Sequence, residues 1–333
     1  MNAPIVHGGG ITAAALLYGG QPEDWLDLST GINPHPVAVP DISVRAWHRL
    51  PDAHLAAAAR EAARDYYGSG PILPLPVPGT QSVIQLLPRL VQAGERVAIL
   101  GPTYGEYQRA FASSGHAIDM VANLEEIDQR HALAVVVNPN NPDGRTFEVA
   151  RLAALAQRLA RWSGVLVVDE AFGDAEPHGS IVPELAGSAN VVVFRSFGKF
   201  FGLAGLRLGF VVASPEVLDR FEGWLGPWAV SGPALSVAAS LLRSDTTAIR
   251  QAIAERSLAL HGTLQASGLR IVGGTSLFAL VEHNAADRLH AHLCRSRILV
   301  RKFDYAPNWL RFGLAADAAG DARLLEALQS YNA

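Results

Sequence analysis

Lysine is scarce in this chain of 333 residues, and one lysine stands in an apolar context. Of the 27 basic residues, only Lys199 and Lys302 carry an amine. Lys199 lies in the segment 196–209, Ser-Phe-Gly-Lys-Phe-Phe-Gly-Leu-Ala-Gly-Leu-Arg-Leu-Gly. Burial in such a segment makes the neutral, nucleophilic form of an amine accessible. Lys199 is therefore a candidate for Schiff-base chemistry with a carbonyl group.

A carboxylate follows a fully apolar run at Asp169. The run 165–168 reads Val-Leu-Val-Val, and an acid directly after a buried strand is costly unless it is paired. Asp169 is either a structural helix cap or ion-pair partner, or a carboxylate held near a cationic ligand atom. Ser196 and Arg207 flank Lys199 with a hydroxyl and a fork of N–H donors, a combination suited to a phosphate.

Strand-like and helix-like segments alternate around these residues. The pattern predicts an α/β fold with a mostly parallel sheet, in which ligands bind beyond the carboxyl ends of the strands. After about Trp228, long helical segments and separate strands predict a smaller α+β domain. We expect a large domain at 46–227 and a small domain built from 1–45 and 228–333. The large domain is predicted to have strands at 96–100, 132–137, 165–168 and 191–194, helices at 53–66, 82–91, 107–114 and 149–162, an irregular connection at 68–79, and a helix cap at Gly164.

Composition excludes several classes of protein. The chain is 49% hydrophobic, 17% charged and carries a net charge of −4 without a basic run, which argues against nucleic-acid and anionic-membrane partners. It has no apolar run long enough for a membrane helix, and its first residues do not resemble a signal peptide. The single cysteine, Cys294, fits a reducing cytoplasm, and the histidines show no metal-ligand spacing. We therefore expect a cytoplasmic protein without a metal.

The lysine segment resembles a known signature. Ser196-(x2)-Lys199-(x5)-Gly205-Leu206-Arg207-Leu208-Gly209 is similar to the lysine motif of fold-type I pyridoxal-phosphate enzymes of the class I/II aminotransferase superfamily. Other motifs of that superfamily follow the same order along the chain. They are Gly101-Pro102-Thr103-Tyr104, Asn140-Asn141-Pro142-Asp143-Gly144, Asp169-Glu170-Ala171-Phe172 and Leu310-Arg311-Phe312-Gly313.

The resemblance implies pyridoxal 5'-phosphate as the cofactor and a role for each matching residue. Lys199 and Asp169 are the expected catalytic residues: Lys199 binds the aldehyde, and Asp169 faces the ring nitrogen. The expected cofactor-binding set adds stacking by Tyr104, a hydrogen bond from Asn141 to the ring oxygen, and a phosphate cup formed by the amides of Gly79, Thr80 and Gln81 with Ser196 and Arg207.

The start of the chain carries a narrower resemblance. His7-Gly8-Gly9 and the later Asp27-Leu28-Ser29-Thr30-Gly31-Ile32-Asn33-Pro34 are similar to the N-terminus of the threonine-phosphate decarboxylases of cobalamin biosynthesis. This implies decarboxylation of L-threonine O-3-phosphate to (R)-1-amino-2-propanol O-2-phosphate for the cobalamin nucleotide loop. The implied substrate-binding residues are His7, Gly8, Gly9, Asn33, Asn141, Arg301 and Arg311.

Among these, Arg311 is expected to bind the substrate carboxylate, and Arg301 and His7 its phosphate. Whether Arg311 touches both anions stays open, as does the choice between threonine phosphate and serine phosphate.

Two other readings stay open at this point. The first is an aminotransferase of the histidinol-phosphate type, although Phe172 replaces a tyrosine found in those enzymes. The second is a protein that keeps the fold for binding or assembly without catalysis. The superfamily also implies a homodimer, although Leu50 stands where many relatives have a tyrosine that reaches the neighbouring subunit.

Overall fold

The computed structural model describes residues 7–176, 179–185 and 188–332, and the side chains of all of these except Asn332. The first six residues, on which the signal-peptide expectation rests, lie outside this range. The helices are α1 (Ile11–Tyr18), α2 (Val44–His48), α3 (Ala53–Tyr67), α4 (Thr80–Ile84), α5 (Glu106–Ser113), α6 (Val149–Ala160), α7 (Phe197–Phe200), α8 (Pro215–Leu225), α9 (Gly232–Leu241), α10 (Thr247–Ala266), α11 (Ala286–Arg295) and α12 (Ala318–Asn332). The strands are β1 (Leu26–Leu28), β2 (Leu75–Val77), β3 (Arg96–Leu100), β4 (Ala117–Val121), β5 (His131–Val137), β6 (Val165–Asp169), β7 (Val191–Ser196), β8 (Gly209–Val212), β9 (Arg270–Thr275), β10 (Phe278–Glu282), β11 (Ile298–Lys302) and β12 (Trp309–Gly313).

The chain divides into two compact units. The large unit comprises Val37–Asn141 and Thr146–Thr246, and the small unit comprises the described residues of Met1–Pro36, Pro142–Arg145 and Thr247–Ala333. The predicted limits at 46 and 228 differ from this division. Helix α9 belongs to the large unit because it packs along α3.

The large unit is built on a sheet with the strand order β2-β8-β7-β6-β5-β3-β4. Strands β3 to β7 pair in parallel, whereas β8 runs antiparallel to β7 and to β2. Strand β6 lies between β5 and β7; Leu166, Val167 and Val168 are buried and Val165 is half-buried, which explains the continuous apolar run. The carboxyl ends of β5, β6 and β7 therefore lie side by side.

Helix α6 illustrates why the covering helices form. Its buried residues Leu152, Leu155, Ala156 and Leu159 follow the three-and-four spacing of one helix face, and the helix packs against β6. Each fully buried leucine contributes about 1.5–3 kcal/mol through removal of apolar surface from water. The left-handed residue that ends this segment is Ser163, with φ 61°, rather than the predicted Gly164.

Two further predictions of local structure were wrong. The predicted helix 82–91 is a short helix, α4, followed by a 3-10 turn at Leu87–Leu90, because Pro88 has no N–H to extend the helix. The predicted irregular connection 68–79 contains strand β2, which pairs only along one side with β8. Pro76 is tolerated there because β2 is an edge strand.

The small unit contains a sheet with the order β1-β11-β12-β10-β9. Strand β1 is parallel to β11, and the remaining pairs are antiparallel. Arg301 on β11 and Arg311 on β12 are direct register partners. Among the residues described above, no helix is both long and apolar enough to cross a membrane.

Candidate active site

Asp169 is the last residue of β6 and is buried. Its Oδ2 accepts a 2.6 Å hydrogen bond from the Tyr107 hydroxyl, and its Oδ1 accepts a 2.9 Å hydrogen bond from the Ala171 amide. Burial raises the pKa of Asp169, while these two donors and the positive charge of Lys199 act in the opposite direction. The carboxylate is thus held in one orientation by a donor on each oxygen.

Lys199 lies on the short helix α7, directly after β7. Its side chain is half-buried, and the nearby residues Phe197 and Phe200 of the same segment are buried. Its Nζ lies 5.9 Å from the centre of the Phe172 ring. The positive charge of Lys199 acts against the effect of burial on the pKa of Asp169, and Phe172 stands three residues after Asp169 in the sequence. The two predicted catalytic residues therefore lie in one region of the large unit.

Residues predicted to bind a phosphate gather at the junction of β7, β8 and α4. Ser196 is the register partner of Gly209, and a Cβ on Gly209 would lie 3.1 Å from the Thr80 side chain. Gly79 precedes α4 with φ 77°, and a Cβ there would lie 2.7 Å from Nη2 of Arg207. The absence of a side chain at Gly79 thus provides the space that the exposed Arg207 guanidinium occupies.

The amide of Gly79, predicted to donate to the cofactor phosphate, has another partner. It donates a 2.7 Å hydrogen bond to the carbonyl of Val77, so it is already engaged in a tight turn. Of the three amides that the sequence offers for a phosphate, those of Thr80 and Gln81 remain the candidate donors.

Gln81 also contributes through its side chain, which links Tyr104 to a buried acid. The Tyr104 hydroxyl donates to Gln81 Oε1 at 3.1 Å, and Gln81 Nε2 donates to Glu106 Oε2 at 3.0 Å. Gln85 Nε2 donates to the same Glu106 oxygen at 3.1 Å. The aromatic ring predicted to stack on the cofactor is therefore oriented by a chain of side-chain hydrogen bonds.

The asparagines after β5 shape the turn that carries Asn141. Asn140 is buried; its Oδ1 accepts from the Thr103 hydroxyl at 2.6 Å, and its Nδ2 donates to the Pro102 carbonyl at 2.9 Å. These bonds tie the turn to the loop that precedes Tyr104. The half-buried Asn141 follows directly, at the end of a segment of the large unit.

A buried ionic cluster stands next to the candidate catalytic residues in the sequence and was not predicted. Arg195 Nη1 lies 2.5 Å from Glu170 Oε2, and Nη2 contacts Asp174. Burial opposes the charge of Arg195, but the two carboxylates raise its pKa above the ordinary value. The cluster joins the end of β7 to the segment after β6, and so fixes the neighbours of Ser196 and Asp169.

In the small unit, three of the residues predicted to bind the substrate lie against Ser29: Arg311, Gly8 and Gly9. Arg311 is buried, donates from Nη2 to the Ser29 carbonyl at 3.0 Å and lies 4.8 Å from the centre of the Phe278 ring. Gly9 donates from its amide to Ser29 Oγ at 2.7 Å, so this amide is not among the donors left for a ligand.

The remaining predicted substrate residues of the small unit occupy distinct positions. His7 is exposed, and Gly8 lies directly against Ser29, where a Cβ would be 2.4 Å from the carbonyl oxygen. Asn33 is buried, and its Oδ1 accepts from the His35 amide at 2.9 Å. Arg301 is half-buried beside Arg311, with its guanidinium 5.4 Å from the centre of the Phe303 ring.

Tyr107, Glu106 and Ser29 were missed by sequence reasoning. Tyr107 and Glu106 stand in the first turn of α5, directly after the loop that carries Tyr104, and both fall within an ordinary amphipathic helix pattern. Ser29 lies inside the N-terminal motif but has no charge that singles it out. Proximity to a motif was the available signal in each case.

Comparison with known proteins places the chain in a family. The family model for class I and II aminotransferases matches residues 23–328. The chain is 60% identical to a threonine-phosphate decarboxylase from Sinorhizobium sp and 42% identical to one from Pseudomonas aeruginosa, with 98% of both chains covered in each case. A histidinol-phosphate aminotransferase from Citrifermentans bemidjiense is more distant, at 31% identity with 87% of each chain covered.

A solved structure shares the fold. The histidinol-phosphate aminotransferase from Sinorhizobium meliloti, determined in complex with pyridoxal-5'-phosphate, superposes with a TM-score of 0.87 at 21% identity, covering 98% of this chain and 95% of that one. Together with the mostly parallel sheet, this likeness confirms the predicted fold-type I class. The chain therefore belongs to the class I and II aminotransferase family.

Proposed function

We propose that this chain catalyses the pyridoxal-phosphate-dependent decarboxylation of L-threonine O-3-phosphate. The products are carbon dioxide and (R)-1-amino-2-propanol O-2-phosphate, which would enter the cobalamin nucleotide loop. The observation that carries the proposal is identity of 60% and 42% over 98% of the chain to two threonine-phosphate decarboxylases, against 31% to a histidinol-phosphate aminotransferase.

The residues of the large unit fit the cofactor. A lysine amine suits its aldehyde, and a buried carboxylate with a donor on each oxygen suits its protonated ring nitrogen. Arg207, positioned over the space at Gly79, together with Ser196 and the amides of Thr80 and Gln81, suits its phosphate. Tyr104 suits its ring, and Asn141 its ring oxygen.

Bound pyridoxal phosphate supplies an aldehyde and an electron-accepting ring. Burial raises the pKa of Asp169, and Tyr107, Ala171 and Lys199 act against that rise; the Asp169 carboxylate would face the ring nitrogen and favour its protonated form. Lys199 has a second task. When carbon dioxide leaves the substrate, the protonated amine of Lys199 would donate a proton to Cα and become neutral.

Residues of the small unit provide anchors for the two anionic groups of the substrate. We assign Arg311 to the carboxylate, and Arg301 and His7, with the Gly8 amide, to the phosphate. A guanidinium binds both kinds of anion through paired N–H donors. By holding the carboxylate, these anchors select which bond at Cα reacts, so specificity between decarboxylation and amino transfer is geometric.

We also propose that the protein acts as a cytoplasmic homodimer. Five large apolar side chains of the large unit, Val39, Val44, Trp47, Leu50 and Trp228, are each more than half exposed. Val44, Trp47 and Leu50 stand close together in the sequence, at and just after α2, and clustered exposed apolar side chains are typical of interaction surfaces. Sedimentation velocity tests the dimer: replacement of Trp47 and Leu50 by Glu is expected to give monomers, and an unchanged dimer would contradict this use of the surface.

The proposed reaction is tested by incubating the holoenzyme with threonine phosphate, with and without 2-oxoglutarate. We expect carbon dioxide release that does not depend on the keto acid. Formation of glutamate without carbon dioxide would instead establish the aminotransferase reading. Serine phosphate in a parallel assay decides which phosphorylated amino acid is preferred.

A further inference from the structure

Ser29 connects the separate pieces of the proposed anion-binding site. It follows β1 and is 2% exposed. Its Oγ accepts the Gly9 amide at 2.7 Å, and its carbonyl accepts Nη2 of Arg311 at 3.0 Å. One residue thus contacts both the His7-Gly8-Gly9 segment and the guanidinium assigned to the substrate carboxylate.

Asp27 fixes the direction in which the Ser29 hydroxyl points. Oδ1 of Asp27 accepts from the Ser29 amide at 2.8 Å and from the Ser29 hydroxyl at 2.6 Å. Because the single hydroxyl proton is directed to Asp27, the oxygen lone pairs serve as the acceptor for Gly9. The hydroxyl therefore has one orientation that satisfies both contacts.

The fit of Gly8 and Gly9 depends on this arrangement. A Cβ on Gly8 would lie 2.4 Å from the Ser29 carbonyl oxygen, so the chain passes Ser29 at a distance that only glycine permits. Gly9 has φ 84°, a conformation that other residues rarely adopt. Glycine loses more conformational freedom on ordering than other residues, so a segment with two glycines needs fixed contacts to hold His7 in place.

We propose that Ser29 is a positioning residue that sets the affinity for the phosphorylated substrate, an inference that rests on the proposed function. It orders the His7-Gly8-Gly9 segment through its hydroxyl and holds Nη2 of Arg311 through its carbonyl. Ordering both groups before the substrate arrives removes an entropic cost from binding. Ser29 itself does not contact the reacting atoms.

The test compares Ser29→Ala with Ser267→Ala in the full-length holoenzyme. Ser267 is a buried serine of the same unit whose hydroxyl donates to the Leu264 carbonyl at 2.8 Å, so it controls for loss of a buried hydroxyl. Loss of the bond to Gly9 is expected to raise KM for threonine phosphate about threefold to tenfold, with kcat changed less than about twofold. The dissociation constant of inorganic phosphate, measured by calorimetry, should rise with KM. The Ser267 variant should leave both constants unchanged.

A double-mutant cycle separates positioning from a general structural effect. If Ser29 acts through the N-terminal segment, His7→Ala should raise KM in the wild type but add little in the Ser29→Ala background. Ser29→Cys keeps a side chain of similar shape with a weaker acceptor, so its KM should lie between those of the wild type and Ser29→Ala. If Ser29→Ala does not fold, Ser29→Cys takes its place in the test. Additive effects of Ser29→Ala and His7→Ala, or an unchanged KM, would overturn the proposal.

Two controls distinguish failure of this inference from failure of the proposed function. The wild-type protein is first assayed for carbon dioxide release from threonine phosphate, and only a negative result there rejects the reaction. The dissociation constant of inorganic phosphate still tests Ser29 in that case. The visible absorbance of the bound cofactor is expected to be the same in the wild type and in Ser29→Ala, because Ser29 lies outside the cofactor-binding set.

Discussion

The Tyr107 hydroxyl donates a 2.6 Å hydrogen bond to Oδ2 of Asp169. Tyr107 is fully buried in the first turn of α5, and burial raises its own pKa well above the ordinary value. The hydroxyl therefore stays protonated and is a permanent donor at neutral pH. It offsets part of the cost of an ionised carboxylate at the buried end of β6.

Replacing Tyr107 by Phe is expected to weaken both the fold and cofactor binding. The hydroxyl is lost while the ring is kept, so of the two hydrogen bonds described above the carboxylate keeps the one from the Ala171 amide to its other oxygen. Loss of a hydrogen bond to a charged group costs about 1.5–3 kcal/mol. We expect a lower free energy of unfolding in urea and a dissociation constant for pyridoxal phosphate raised about tenfold.

The same variant has a predicted pH dependence. The pKa of Asp169 is raised in the folded state, so between its unfolded and folded values the folded protein binds more protons, and stability falls as pH rises through that window. Tyr107→Phe raises the folded pKa further, so its destabilisation of the cofactor-free protein should be larger at pH 7 than in mild acid. In an Asp169→Asn background the pH dependence of this difference should vanish. If Tyr107→Phe lowered the free energy of unfolding equally at both pH values while Asp169 was present, the assigned role of the hydroxyl would be contradicted.

Gly79→Ala is expected to disturb the proposed phosphate cup. Gly79 has φ 77° and ψ 150°, a region costly for other residues by about 1–3 kcal/mol, and its new Cβ would lie 2.7 Å from Nη2 of Arg207. Because the contact is with the end of a flexible side chain, Arg207 should move aside, and the protein should fold with weaker cofactor affinity.

Gly205→Ala is the matched control for this change. Gly205 lies in the lysine segment that also contains Arg207, and, apart from its chain neighbours, a Cβ there would have no heavy atom of the described residues within 4 Å. Titration of each cofactor-free variant with pyridoxal phosphate measures the difference. Equal affinities for the two variants would show that Arg207 does not bind the phosphate.

Sequence patterns predicted where the strands end, but they did not predict which side chains make contacts at those ends. The run Val165–Val168 predicted a buried strand with Asp169 at its end, since strands covered on both faces are continuously apolar. The partner of that acid was not predictable in the same way, because Tyr107 is 62 residues away and its helical pattern is that of any amphipathic helix. Ser29 was missed for the same reason, as its partner Arg311 is 282 residues away.

Arg195→Met is expected to destabilise the large unit strongly. The substitution leaves Glu170 and Asp174 buried without the guanidinium between them, and breaking a buried ion pair in this way costs about 3–5 kcal/mol. Arg151→Ala provides the control, because its partnership with Glu125 is exposed and is worth less than about 1 kcal/mol. Equal midpoints of thermal unfolding for the two variants would contradict a structural role for the Arg195 cluster.

The two lysines provide the sharpest contrast in the chain. Lys199 interacts electrostatically with buried Asp169, whereas the Nζ of Lys302 lies 3.0 Å from the exposed Asp287 carboxylate at the surface. Lys199→Ala should remove the visible absorbance that the cofactor has when it is bound to the lysine amine. It should also lower kcat about 10²–10⁴-fold, because the proton donor to Cα is lost. Lys302→Ala should retain both the absorbance and the activity. Retained absorbance in Lys199→Ala, or its loss in Lys302→Ala, would move the reactive amine to the other lysine and reject the site proposed here.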